Sequence, residues 1–130
     1  MTPRRRETDP VPLLARYWLP VLAYIGLILF LSSQPHLQAP FEFQNADKLC
    51  HVLEYLGLGW LLARAWRVTA AGQRPLALAL IAISCGIVVG TGDEYYQSLV
   101  PGRESSAYDL LADASGVTIA QIVYRALVRG

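Results

Sequence analysis

Four apolar segments follow one another along this chain, separated by short polar stretches. They cover residues 17–31, 49–66, 76–92 and 108–127, and Leu13 and Leu14 lengthen the first. A bilayer core about 30 Å thick is crossed by about 20 apolar residues in a helix. The pattern therefore predicts an all-α fold, a membrane-spanning bundle of four helices. The helices are expected at about residues 13–32, 47–66, 75–97 and 107–127.

Composition favours lipid over water as the surroundings of this chain. Hydrophobic residues make up 54 % of it and charged residues 16 %, outside the usual balance of soluble domains. A net charge of +1 gives no reason to expect a nucleic-acid partner. Residues 1–12 are polar and predict a disordered tail, which leaves 13–130 as a single domain. We interpret the first apolar segment as a permanent span rather than a cleaved signal.

The basic residues predict the orientation of the bundle. If the helix ends are assigned alternately to two sides, nine of the eleven basic residues fall with both termini. These are Arg4, Arg5, Arg6, Arg16, Arg64, Arg67, Arg74, Arg125 and Arg129. Only Lys48 and Arg103 fall on the other side. The positive-inside rule then places both termini on the cytoplasmic side of an inner membrane, with most acidic residues on the periplasmic or extracellular side.

The second predicted helix carries polar residues in its outer turns. Asp47, His51 and Tyr55 recur every four residues and so share one face, with Lys48 and Glu54 beside them. An ionisable residue inside a membrane segment is costly, and by default it indicates function.

The third predicted helix also carries polar residues at its outer end. Ala82, Gly86 and Gly90 form a stripe of small residues that ends at Glu94 and continues near Gln97. Small residues at this spacing permit close contact between helices.

The fourth predicted helix begins with acidic residues, which lie at the same outer end of the bundle. Asp109, Asp113, Gly116 and Ala120 lie along one of its faces. Three helices thus present polar groups together, and the first helix is expected to contribute none. The candidate binding residues are Asp47, Lys48, His51, Glu54, Tyr55, Glu94, Gln97, Arg103, Asp109 and Asp113.

A structural role is the alternative for part of this set. Asp47 and Asp109 could simply cap their helices, because an aspartate accepts hydrogen bonds from the first N–H groups. Arg103 and Lys48 could pair with carboxylates in a closed network, or they could instead bind a phosphate group.

Catalysis is a second alternative. His51, Glu94 and Asp113 are the candidates for general acid/base chemistry. A single histidine in the set argues against zinc, whereas carboxylates suit Mg²⁺ or Ca²⁺, so a divalent cation is the one cofactor considered. No other cofactor is predicted.

The order and spacing of these residues resemble one family. The matching motifs are Asp47-Lys48 with His51 and Tyr55, Asp93-Glu94 with Gln97, Pro101-Gly102-Arg103, and Asp109 with Asp113 and Gly116. Across residues 17–126 the chain resembles the VanZ-like family of small bacterial membrane proteins. The resemblance implies a multi-helix membrane protein, and the family's namesake is an accessory determinant of resistance to the glycopeptide teicoplanin. The chain has Asp113 where the family often has Asn, and Ala120 where it often has Gly.

We therefore expect membrane lipids as partners and an outward-facing polar pocket. The leading hypothesis is an accessory role in the cell envelope, in which the pocket binds a lipid head group, a glycolipid or an amphiphilic glycopeptide. The alternatives are a membrane enzyme acting on a lipid-linked or phosphorylated envelope substrate, and a bundle whose polar residues only fix the helix register. An ion pathway is disfavoured because the polar residues stop partway along the second and third helices.

Overall fold

Four helices make up the described part of this protein. The computed structural model describes residues 11–35 and 43–128, where there are four α-helices and no strand. They are α1 Leu13–Ser32, α2 Ala46–Thr69, α3 Pro75–Leu99 and α4 Ala107–Leu127. The predicted all-α class with four helices is confirmed. Compared with the predicted bounds, α2 begins one residue earlier and ends three later, and α3 ends two later. Residues 1–10 of the predicted tail lie outside the described residues.

Two helices have the length and composition of membrane spans. They are α1 and α3, and only 11 % and 22 % of their apolar stretches are buried within the protein. A core helix of a soluble protein would be mostly buried, so this exposure is consistent with contact between these two helices and lipid. The spanning of α2 and α4, and the placement of the termini, stay predictions.

The connection between α3 and α4 is a tight turn. The Arg103 amide donates to the Val100 carbonyl oxygen at 3.2 Å, and Gly102 has a φ of 81°. Proline fixes one central angle of such a turn, and glycine tolerates the positive angle that follows it. The Pro101-Gly102 pair thus brings the start of α4 back beside the end of α3.

Helices α2 and α4 make the closest contact in the bundle. A Cβ on Gly116 would collide with the backbone carbonyl of Val52, and a Cβ on Gly59 would lie 2.7 Å from the Ala120 Cβ. Glycine at these two positions therefore lets the two backbones touch. This contact fixes the polar residues of α2 opposite those of α4.

The apolar core fills the middle of the bundle. Its largest fully buried side chains are Val21 and Ile28 from α1, Tyr55, Leu58 and Leu62 from α2, and Val117 from α4. Tyr55 is the member of this core that lies nearest the polar residues described next.

Candidate functional site

Polar side chains gather at the end of the bundle where α3 ends and α2 and α4 begin. We call this end the polar end, and the side chains gathered there the polar cluster. Its members are Ser32, Lys48, His51, Glu54, Tyr55, Asp93, Glu94, Gln97, Arg103, Asp109 and Asp113. Asp47 lies at the rim of the cluster.

Lys48 joins two carboxylates. Its ammonium lies 2.5 Å from Oδ1 of Asp109 and 2.7 Å from Oδ2 of Asp47. The Asp109 side chain is only 6 % exposed, whereas that of Asp47 is 59 % exposed. Asp47 precedes the apolar part of α2, and the hydrogen bond from Lys48 holds the pKa of its carboxyl below the usual value. The buried pair, Lys48 with Asp109, is the one that links α2 to α4.

His51 and Asp113 form the second link between α2 and α4. The ring nitrogen Nδ1 lies 2.7 Å from Oδ1 of Asp113, which is fully buried. On the other side of the ring, Nε2 lies 3.9 Å from Oδ1 of Asp109. A Cβ on Gly90 would lie 3.2 Å from Oδ2 of Asp113, so α3 closes the site against this carboxylate. The histidine is held between two carboxylates of one helix.

Asp93 occupies the centre of a second group of hydrogen bonds. Its carboxylate is 1 % exposed and accepts from the hydroxyl of Ser32 and from the Tyr55 hydroxyl at 3.2 Å. The Gln97 amide donates to Ser32 Oγ at 3.1 Å and to Asp93 Oδ2 at 3.4 Å. The expectation that the first helix contributes nothing is therefore wrong, because Ser32 is the last residue of α1.

The candidate set did not include Asp93, although the resemblance did. The predicted stripe joined Ala82, Gly86 and Gly90 to Glu94, whereas the buried stripe runs on from Gly90 to Asp93 and Gln97. Positions three and four residues apart both lie on one helix face, so spacing alone could not choose between neighbouring carboxylates. The glutamine four residues after Asp93 was the signal that could have identified it.

Several buried polar atoms of the cluster have no hydrogen-bond partner among the described residues. They are both carboxylate oxygens of Glu94, Nε of Arg103 and Oδ2 of Asp113. The Ser106 backbone lies close enough to stabilise the charge of Glu94, but it forms no hydrogen bond of ordinary geometry with that carboxylate. The half-buried Glu54 accepts at its backbone carbonyl from the Tyr24 hydroxyl at 2.6 Å. The cluster therefore includes buried acceptors and a donor whose hydrogen-bonding capacity the described residues do not fill.

The capping alternative for the two aspartates is wrong. The N-cap of α2 is Asn45, in the left-handed conformation with a φ of 63°, and the N-cap of α4 is Ser106. The Ser106 hydroxyl oxygen accepts from the Asp109 amide at 3.4 Å. Asp47 and Asp109 instead lie within the first helical turns, where the helix dipole also favours a negative charge.

The opposite end of the bundle is basic and aromatic, and we call it the basic end. The guanidinium of Arg64 lies 5.3 Å from the ring centre of Tyr17, and that of Arg67 lies 5.3 Å from the ring centre of Tyr124. The two ends thus separate charge as predicted for the residues described here. Arg4, Arg5, Arg6 and Arg129 lie outside them.

The described residues contain no group of three His, Cys, Asp or Glu side chains arranged to hold a metal ion. Asp109 and Asp113 lie on either side of His51, but these three side chains are not arranged to hold a metal ion. What the arrangement offers instead is hydrogen bonding of both kinds: carboxylate acceptors in Glu94 and Asp113, and a guanidinium donor in Arg103.

Fold and site together define a class: a four-helix protein with two helices of membrane-span character and a partly unpaired polar cluster at one end. Such a protein is consistent with a place in the membrane. The chain belongs to the VanZ/LLP1 family, whose family model matches residues 15–129. This confirms the resemblance predicted from the order and spacing of its motifs. Comparison with curated proteins and with solved structures found no match.

Proposed function

We propose that the polar cluster binds the polar part of an amphiphile of the cell envelope: a lipid head group, a glycolipid or a lipid-bearing glycopeptide. The observation that carries this proposal is the set of buried polar atoms in Glu94, Arg103 and Asp113 that have no partner among the described residues. Buried polar atoms are almost always hydrogen-bonded in native proteins, so an unpaired group needs an explanation such as a ligand or a water.

A closed structural network explains these atoms less well. Across the helices, Lys48 pairs with Asp109, His51 with Asp113, and Tyr55 with Asp93. A network that served only to fix helix register would also satisfy the remaining buried polar atoms, because each one left without a hydrogen bond costs free energy. The unpaired atoms therefore favour a ligand over a purely structural role.

The chemistry of these buried, unpaired atoms indicates the kind of ligand. Glu94 and Asp113 present acceptors, which suit hydroxyl groups of a sugar or an ammonium group. Arg103 presents a donor, which suits a phosphate or a carboxylate. A ligand head that carries both kinds of group matches the cluster. The predicted orientation puts this head at the outer leaflet.

The test incubates the purified full chain in detergent with amphiphilic probes and measures by native mass spectrometry how much of each probe stays bound. The probes are phosphatidylethanolamine, a diglucosyl diacylglycerol and teicoplanin. We expect Glu94→Gln and Arg103→Gln each to weaken retention of at least one probe by about tenfold or more, because a hydrogen bond to a charged group contributes about 1.5 to 3 kcal/mol.

Matched controls distinguish the effect of the polar cluster from that of surface charge. Glu104 and Arg74 are exposed, so Glu104→Gln and Arg74→Gln make the same charge changes outside the cluster. These two variants should retain the probes as the parent does. Unchanged retention of all three probes in both Glu94→Gln and Arg103→Gln would refute the proposal.

A membrane enzyme is the second candidate, favoured by the 2.7 Å contact between His51 and Asp113. A buried carboxylate that holds one ring nitrogen orients the other for proton transfer. Here Nε2 would take a proton from a water or hydroxyl that attacks a lipid-linked phosphate, as the bond to the leaving oxygen breaks. Release of inorganic phosphate from a lipid monophosphate tests this, with His51→Gln and Asp113→Asn as inactive variants. No release by the parent protein would exclude this activity.

A further inference from the structure

An apolar groove lies on the outer surface of the bundle, near its basic end. It lies between α3 and α4, and its volume is about 440 Å³. Leu76, Leu80 and Ile83 of α3 and Ile122 of α4 line it. The α4 residues that line it span Thr118 to Ala126, which corresponds to about 12 Å of helix. The groove therefore has the length and lining for part of an acyl chain.

Two arginine side chains lie at one end of this groove. Arg125 lines it near the end of α4, is exposed, and has no hydrogen bond or ion pair with any described residue. A small adjoining crevice is lined by Arg125 together with Arg67, which stacks on Tyr124 and donates to the Val128 carbonyl oxygen at 3.3 Å. One free and one fixed guanidinium thus lie next to the apolar lining.

We propose that this groove binds one anionic phospholipid, with an acyl chain along α3 and α4 and the phosphate at Arg125. Charge complementarity selects this occupant. Basic pockets between helices near the cytoplasmic surface are typical sites for anionic head groups. A zwitterionic lipid offers the same chain but no net charge for the two arginines.

A second copy of the chain fits the groove less well. The acidic residues in the described part of the chain lie at the polar end or in the turn beside it, so none of them could face Arg125 from a neighbouring copy packed side by side. The anionic lipid site is also independent of the polar cluster, because it uses none of the cluster's residues and lies at the other end of the bundle.

The experiment uses the full chain in detergent, incubated with phosphatidylglycerol or phosphatidylcholine of the same acyl chains, and counts bound lipids by native mass spectrometry. We expect one phosphatidylglycerol to be retained in preference to phosphatidylcholine. Arg125→Gln should weaken that retention by about fivefold, in keeping with the effect of one basic side chain on an anionic lipid. Arg125→Lys should restore most of it.

Arg74→Gln is the matched control, because Arg74 is an exposed cation at the basic end that does not line the groove. Equal retention of the two lipids, or an equal loss in Arg74→Gln and Arg125→Gln, would overturn the proposal. Formation of a dimer that Arg125→Gln abolishes, without lipid retention, would assign the groove to a second copy instead. Arg125 is exposed, so the variant should fold, and its unfolding transition in detergent checks that it does.

Discussion

The contact between α2 and α4 differs in kind from the contact between α1 and α3. Between α2 and α4, glycines bring the backbones into contact, and two side-chain links join them at the polar end. A third link lies nearer the basic end, where the Gln121 amide donates to the Gly59 carbonyl oxygen at 2.9 Å. In the described residues, α1 meets α3 through polar atoms only at Ser32, which binds Asp93 and Gln97.

The two pairs of helices also differ in the residue types that they carry. The α2–α4 pair holds most of the charged groups in fixed positions, and neither helix passes as a membrane span by composition. The α1–α3 pair presents large apolar side chains to its surroundings, among them Leu22, Phe30 and Val88, each more than half exposed. The exposure of α1 and α3 is consistent with contact with lipid, and α2 and α4 supply most of the polar cluster.

The largest expected effect comes from separating α2 and α4. Gly116→Leu should lower the free energy of unfolding by more than about 3 kcal/mol, because the new side chain meets the backbone of Val52 and Leu56. Gly26→Leu on α1 is the control, since a Cβ there has nothing within 4 Å. Denaturant titration of the full chain in mixed micelles measures both. Equal stabilities would show that the backbone contact is not what holds this pair together.

A smaller effect should follow from removing one charge link of the same pair. Lys48→Gln leaves the Asp109 carboxylate, only 6 % exposed, without its cation. Breaking a buried pair costs several kcal/mol, and the partial exposure of Lys48 reduces this to about 2 kcal/mol. Arg74→Gln removes an exposed cation and should cost less than about 0.5 kcal/mol. The same titration compares them, and similar losses would mean that Lys48 acts as an ordinary surface charge.

The smallest effect is expected where α1 meets α3. Ser32→Ala removes the hydroxyl that bridges Asp93 and Gln97 and should cost about 1 kcal/mol, because those two side chains still contact each other. Ser84→Ala is the matched control, since the Ser84 hydroxyl bonds only to the Leu80 carbonyl of its own helix. A loss for Ser32→Ala larger than that for Lys48→Gln would reverse the comparison between the two pairs.

Features that repeat within a single helix could be predicted from the sequence. The apolar segments located all four helices, and the spacing of Asp109, Asp113, Gly116 and Ala120 gave the buried face of α4. The Pro101-Gly102 pair gave the turn. Periodicity of this kind is local, so it needs no knowledge of the neighbouring helices.

Features that depend on how helices meet could not be predicted in the same way. The choice of Asp93 over Glu94 for the buried position depends on the exact rotation of α3, and one residue changes that rotation by about 100°. Ser32 joins the cluster only because the end of α1 lies beside α3. Asn45 and Ser106, rather than the aspartates, occupy the N-cap positions. Helix α2 begins one residue earlier than predicted, whereas α4 begins at Ala107 as predicted, so Asp109 already lay inside its predicted helix.

The links between α2 and α4 also order events during synthesis. Lys48 and His51 precede their partners Asp109 and Asp113 by 61 and 62 residues. When α2 leaves the ribosome, Lys48 has only its neighbour Asp47 as a partner, and the links to α4 cannot form until about sixty more residues have been made. The final placement of α2 has to wait for α4, so a chain truncated before α4 should expose α2 to quality-control proteases.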